Sequence, residues 1–162
     1  MNTFNITVTP KLADAKDYEI ELNDSVCSES DVLSALIEEM ESDEIEGADA
    51  CEGFEVVDWS DVPDWAQDFS ILEDLMPAYA SSSYGIEIFE AAKEADIQFS
   101  DVDEAYNGQF DDDEDFAQDM AESLGAIDKT ASWPQNCIDW KQAAKELMYD
   151  YSEANGHYFR NL

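Results

Sequence analysis

Positive charge is the scarcest property of this sequence: seven of 162 residues are Lys or Arg, Arg160 is the only arginine and His157 the only histidine. Binding a nucleic-acid backbone or handling a phosphorylated substrate calls for several cationic or bidentate donors, so both are disfavoured. A Ser-His-Asp or Cys-His device would have to be built around His157 alone, and an ordinary surface or edge histidine is expected there instead. The six glycines, at 47, 53, 85, 108, 125 and 156, form neither a Gly-x-Gly-x-x-Gly run nor a Walker loop. Cys27, Cys51 and Cys137 are odd in number and widely spaced, which signals neither a disulfide framework nor a zinc site; buried free thiols are expected. No stretch approaches the roughly 18 apolar residues of a membrane span, and the opening Met1-Asn-Thr-Phe-Asn-Ile lacks the basic start of a secretory signal. The expectation is a cytoplasmic, non-enzymatic chain that needs no cofactor and contacts no membrane.

Carboxylate is what the sequence has instead. Asp and Glu number 41 and the formal net charge is −34, yet 44% of residues are hydrophobic and 12% aromatic. An acidic disordered tail lacks such apolar patterning, so a folded protein with an intensely negative surface is expected. Charge of this size destabilises a compact body through self-repulsion and exceeds what solubility needs. Its distribution is uneven. Residues 1–60 hold 17 acids and two bases, residues 61–128 hold 20 acids and one base, and residues 129–162 hold four of each. A surface acidic only for solubility would not spare a neutral, aromatic end, and that end reads as a contact surface.

The patterning predicts an α+β protein of three segments. In 1–60, Phe4, Ile6 and Val8 alternate with polar residues, as do Tyr18, Ile20 and Leu22, giving two antiparallel strands joined by a long loop. Ser28 and Asp31 resemble a capping box before a helix over about 29–41, and Phe54–Trp59 reads as a third strand. In 61–128 the period is helical. Trp65, Phe69, Leu72, Leu75 and Met76 form one face before Pro77, and Ile88, Phe89, Ala92 and Ala95 a second. A short helix capped by Ser100 and Asp103 carries Val102, Ala105 and Tyr106. A fourth, over about 112–124, turns Phe116, Ala117, Met120, Ala121 and Leu124 inward. This predicts a central helical bundle. The last segment, 129–162, reads as an α+β unit: a Ser-Trp-Pro turn at 132–134, a helix with Trp140, Ala144, Leu147, Met148 and Tyr151 on one side, and a terminal strand near 156–160.

In a chain that is a quarter carboxylate, paired acids carry little specificity. One spacing stands out. Read as a 12-residue calcium loop, 103–114 offers Asp103, Asn107, Asp111 and Glu114, with Gly108 at the turn, but Ala105 fails where a ligand is required. The simpler reading has Gly108 end a helix, Phe110 dock into the core and Asp111–Asp115 supply charge to the next helix N-terminus. No metal is expected, and the calcium loop stands as an alternative. The total charge also has a length: at one charge per 1.7 Å of duplex axis, 34 charges correspond to about 58 Å, or roughly 17 base pairs.

Phe99-Ser-Asp-Val-Asp-Glu104-Ala-Tyr106-Asn-Gly108-Gln-Phe110, followed by Glu114-Asp-Phe116-Ala, resembles the ArdA antirestriction family. So does the ending from Ile138-Asp-Trp140 through Leu147 to Gly156-His-Tyr-Phe-Arg160. The similarity is carried by residues 97–162. The resemblance implies a DNA mimic: an elongated, curved row of small domains that dimerises through the C-terminal one. It also implies a partner, a DNA-binding defence enzyme such as a type I restriction-modification methyltransferase, whose DNA groove the mimic fills without itself binding nucleic acid. On that reading the carboxylates standing for phosphates are Glu38, Glu39, Glu41, Asp43, Glu44, Asp103, Glu104, Asp111, Asp112, Asp113, Glu114, Asp115, Asp119 and Glu122. A homodimer interface would use Trp133, Trp140, Tyr158 and Phe159 in the neutral end. The alternative is an acidic calcium-binding or general interaction scaffold that does not compete with DNA.

Overall fold

The computed structural model describes every residue except Met1, Asp14, Lys129, Ala131, Ser132 and Pro134, and the side chain of Gln135. The fold is α+β, as the patterning predicts, with two three-stranded antiparallel sheets. The chain divides into two compact units, 1–83 and 84–162, where the sequence suggested three segments. The Ser-Trp-Pro turn expected at 132–134 lies largely outside the described residues.

In the first unit, β1 (Phe4–Pro10) is the central strand between β2 (Tyr18–Leu22) and β3 (Phe54–Asp58). Strict alternation drives this: Phe4, Ile6 and Val8 are buried opposite Leu22, Ile20 and Tyr18, with polar residues between them. Helix α1 (Glu29–Ser42) begins where expected. Ser28 Oγ accepts the Asp31 amide and the Asp31 carboxylate accepts the Ser28 amide, both at 3.1 Å, so two otherwise orphaned donors are satisfied. Val32, Leu36 and Met40, one helical turn apart, are fully buried.

Helix α2 (Phe69–Ser81) is capped by Asp68, which accepts the Ser70 amide at 2.8 Å, and it runs through Pro77 rather than ending before it. Proline removes one backbone donor. The turn beyond it is held by packing, because Ala80 is buried and Tyr79 stacks on Phe4 with ring centroids 5.2 Å apart. Phe69 in turn meets Phe54 and Trp59. Residues 61–83 therefore complete the core of the first unit and belong to no separate bundle. Trp65 sits in a 3-10 turn, Asp64–Ala66, ahead of α2.

The second unit contains α3 (Ile86–Glu94), α4 (Val102–Ala105), β4 (Tyr106–Gln109), α5 (Asp113–Ser123), α6 (Trp140–Leu147), β5 (Tyr151–Ala154) and β6 (His157–Arg160). The strand order is β4-β6-β5. Pairing of β4 with β6 ties the acidic segment to the neutral end, which is why the expected boundary at 128 is not a boundary. Four local expectations change. Tyr106 begins a strand instead of completing a helix; Ser100 Oγ bonds Asp101 rather than capping. Tyr151 lies in β5 and not on α6. Leu124, expected inward, is 76% exposed at the end of α5.

Residues Asn155 and Gly156 join β5 to β6 with φ of 53° and 80°. That pair of positive values is what a two-residue hairpin needs to match strand twist, and Asn-Gly is its strongest sequence signal. At the centre of this unit Phe116 is fully buried, its ring 4.4 Å from Tyr158, 5.0 Å from Tyr151 and 5.2 Å from Phe110.

Candidate acidic interaction surface

Folding buries the apolar residues and leaves the carboxylates outside. In the first unit Glu38, Glu39 and Glu41 are exposed on α1, Glu38 and Glu41 on the face away from Val32, Leu36 and Met40 and Glu39 at the edge of the buried face, with Asp43 and Glu44 just beyond the helix end. Asp43 is the partly neutralised member: Lys16 Nζ lies 2.7 Å from its carboxylate. That hydrogen bond and charge hold the Asp43 carboxyl below the usual carboxylate range. The capping bonds from Ser28 and Ser70 lower Asp31 and Asp68 in the same direction.

The sheet adds carboxylates that sequence reading left out. Glu19 and Glu21 on β2 and Glu55 and Asp58 on β3 are exposed. They pair through the register with Thr7, Asn5, Thr9 and again Thr7 of β1, so all project from one face. Strand geometry puts Glu19 and Glu21 about 6.8 Å apart, and the β2 and β3 rows flank a middle row of Asn5, Thr7 and Thr9 at about 4.8 Å on each side. For Glu19 and Glu21 the signal is in the alternation, since the positions between Tyr18, Ile20 and Leu22 must face water, whereas Asp58 reaches that face through a register shift in the β1–β3 pairing.

In the second unit Asp103 and Glu104 are exposed on α4, Asp111–Asp115 and Asp119 are exposed around the start of α5, and Glu122 is half-buried. Asp112 caps α5, accepting the amides of Glu114 and Asp115 at 2.9 Å each, and three acids fill the first turn, where the helix dipole stabilises negative charge. Asp112, Asp115 and Asp119 fall at i, i+3 and i+7 on one helix side. Asp113 accepts the Tyr158 hydroxyl at 2.8 Å. Burial, then that bond and the Asp113 charge, hold the Tyr158 phenol above its ordinary range.

The calcium alternative does not fit this geometry. Residues 106–109 are a strand paired with β6, and the Asn107 side chain donates to the Ala105 carbonyl at 2.7 Å. Among the described residues no group of three or more His, Cys, Asp or Glu side chains is placed to hold a metal ion.

The chain matches no family model, no curated protein and no solved structure. Its own residues therefore carry the functional argument.

The neutral end needs two corrections. Tyr158 and Phe159, expected at a dimer interface, are 2% and 0% exposed because β6 is the central strand of its sheet. Trp140 is half-buried, and Trp133 is exposed. His157, expected at the surface, is buried, with Nδ1 3.0 Å from the Tyr106 hydroxyl. All three cysteines are free; Cys27 and Cys51 are buried as expected, and Cys137 is exposed. No helix among the described residues is long and apolar enough to cross a membrane.

Crowded carboxylates should set the response to salt. Screening shortens the reach of self-repulsion, so the melting temperature should rise on the order of 5–10 °C between about 0.02 and about 0.5 M NaCl. Calorimetry at neutral pH checks this, and a melting temperature indifferent to salt would show that the charges lie too far apart to repel. In acid two effects oppose each other. Protonation relieves repulsion, while the depressed Asp31, Asp43 and Asp68 contribute stability at neutral pH that is lost as pH falls through their folded-state values.

Proposed function

We propose that this protein is a DNA mimic that inhibits a DNA-processing defence enzyme by occupying its DNA-binding groove, acting in the cytoplasm and catalysing nothing itself. One observation carries the reading: 13 of the 14 carboxylates expected to stand for phosphates are exposed, and the sheet of the first unit adds four more on one face. A groove evolved to neutralise phosphates gains similar electrostatic energy from carboxylates fixed on a rigid body. Capping bonds to Asp112 and the Tyr158 bond to Asp113 supply that rigidity in the second unit.

The resemblance to the ArdA family favours a type I restriction-modification methyltransferase as the target. Trp133 and the neutral segment 129–162 favour a homodimer joined at that end, since charge-neutral faces approach without repulsion.

The test is competition. Added to a type I restriction enzyme and its duplex, the purified chain should abolish DNA binding and cleavage; excess duplex should restore both, and added salt should weaken the inhibition. Cleavage that persists at large molar excess would exclude that enzyme, and a general acidic scaffold would leave DNA binding intact with every enzyme tried.

A further inference from the structure

The second unit contains an open, cleft-like cavity of about 680 Å³, within the size range of small-molecule sites, whose charged lining is exposed. Helix α6 forms one wall with Lys141, Ala144, Lys145 and Met148, whose i, i+3, i+4, i+7 spacing puts them on a single face. Asp111–Glu114, from the connection between β4 and α5 and the first turn of α5, form another. Tyr158 and Gly156 of the β5–β6 hairpin also line it. Opposite charges thus line one cavity. Neither lysine makes an ion pair with a described residue. Of the four carboxylates, Asp112 is engaged as the cap of α5 and Asp113 by the buried Tyr158 hydroxyl, which leaves Asp111 and Glu114 to meet a ligand.

This lining selects a ligand by charge pattern. A simple anion meets Asp111–Glu114 and Glu153; a simple cation meets two ammonium groups. A molecule with a positive group at one end and a carboxylate at the other satisfies both walls, and an apolar stem between them lies along Ala144 and Met148. A planar guanidinium suits the acidic wall because it can bond carboxylates two at a time.

We propose that this cavity binds a free zwitterion of the basic amino-acid class, its guanidinium or ammonium side chain on Asp111 and Glu114 and its carboxylate on Lys141 and Lys145. The site does not depend on the proposed inhibition of a DNA-binding enzyme.

Comparison of L-arginine with agmatine, which is arginine without the carboxylate, separates this site from unspecific attraction. A strongly acidic protein attracts agmatine more, because agmatine carries the larger net positive charge. The proposed site reverses that order. Titrated into the full chain and followed by backbone amide NMR, arginine should give saturable shifts at Ala144 and Gly156. Its dissociation constant should be about threefold or more below that of agmatine, the gain two exposed ion pairs can supply. K141A/K145A should abolish the preference while amide shifts outside the cavity stay in place, and D111N/E114Q should weaken both ligands. Equal or tighter agmatine binding, shifts that never saturate, or a preference that survives K141A/K145A would each overturn the proposal.

Discussion

Converting Glu38, Glu39, Glu41, Glu44, Asp111, Glu114, Asp115 and Asp119 together to their amides is expected to abolish inhibition of the target enzyme at concentrations where the parent chain inhibits fully. All eight are exposed. An exposed charge pair contributes about 0.2–1 kcal/mol, so any one amide should change affinity by roughly fivefold at most, whereas eight together should cost about 1.6–8 kcal/mol, at least about fifteenfold. The effect is collective because each carboxylate acts on the groove through a shared field and no single one is an anchor. Two sub-variants divide it: the four amides on and just beyond α1, and the four around α5. Each should fall between parent and full variant. The measurement is inhibition of DNA binding at several salt concentrations, and the salt dependence should flatten as charges are removed. The eightfold variant should also melt higher than the parent, since it sheds repulsion. Undiminished inhibition would sink the mimicry reading, because shape alone would then account for binding.

The second large effect concerns the fold that holds the acidic run. Phe116→Ala should destabilise the second unit by about 3–5 kcal/mol, much of what a domain of this size has. The ring is fully buried and packs on Tyr158, Tyr151 and Phe110, so its removal leaves a cavity between α5 and the sheet. Leu124→Ala, eight positions further along the chain, removes an apolar side chain that is 76% exposed and should cost little. Urea unfolding followed by near-ultraviolet circular dichroism compares the two. Equal losses would contradict the assignment of Phe116 as the core residue and Leu124 as solvent-facing.

Much of the fold is legible in the sequence where the determining interactions are local. Ser28 and Asp31 announce α1 because the capping box is closed within four residues. The alternation in Phe4–Val8 and Tyr18–Leu22 announces β1 and β2 because one face of a strand must be buried. Val102, Ala105 and Tyr106 satisfy helical spacing, but partners some fifty residues away, Tyr158 and Phe159, make 106–109 a strand. The β5–β6 hairpin is a different case. Asn155-Gly156 was a readable turn signal, and the helical spacing of Trp140 to Tyr151 masked it.

The candidate surface follows the same division. Composition and patterning determined that the protein is an acidic, folded α+β chain with few cations, and that most of its carboxylates must face water, because burying unpaired charge costs far more than hydrating it. Tertiary structure alone decided which carboxylates share a face. It gathered Glu19, Glu21, Glu55 and Asp58 onto one sheet through strand register, and brought Asp111–Glu114 and the α6 lysines to one cavity. It also drew Tyr158 and Phe159 inward, away from any dimer contact. The physical reason is range. Solvation and local capping act on a residue and its near neighbours, so they are written in composition and spacing, whereas pairing and packing join residues distant in sequence and exist only once the chain has closed on itself.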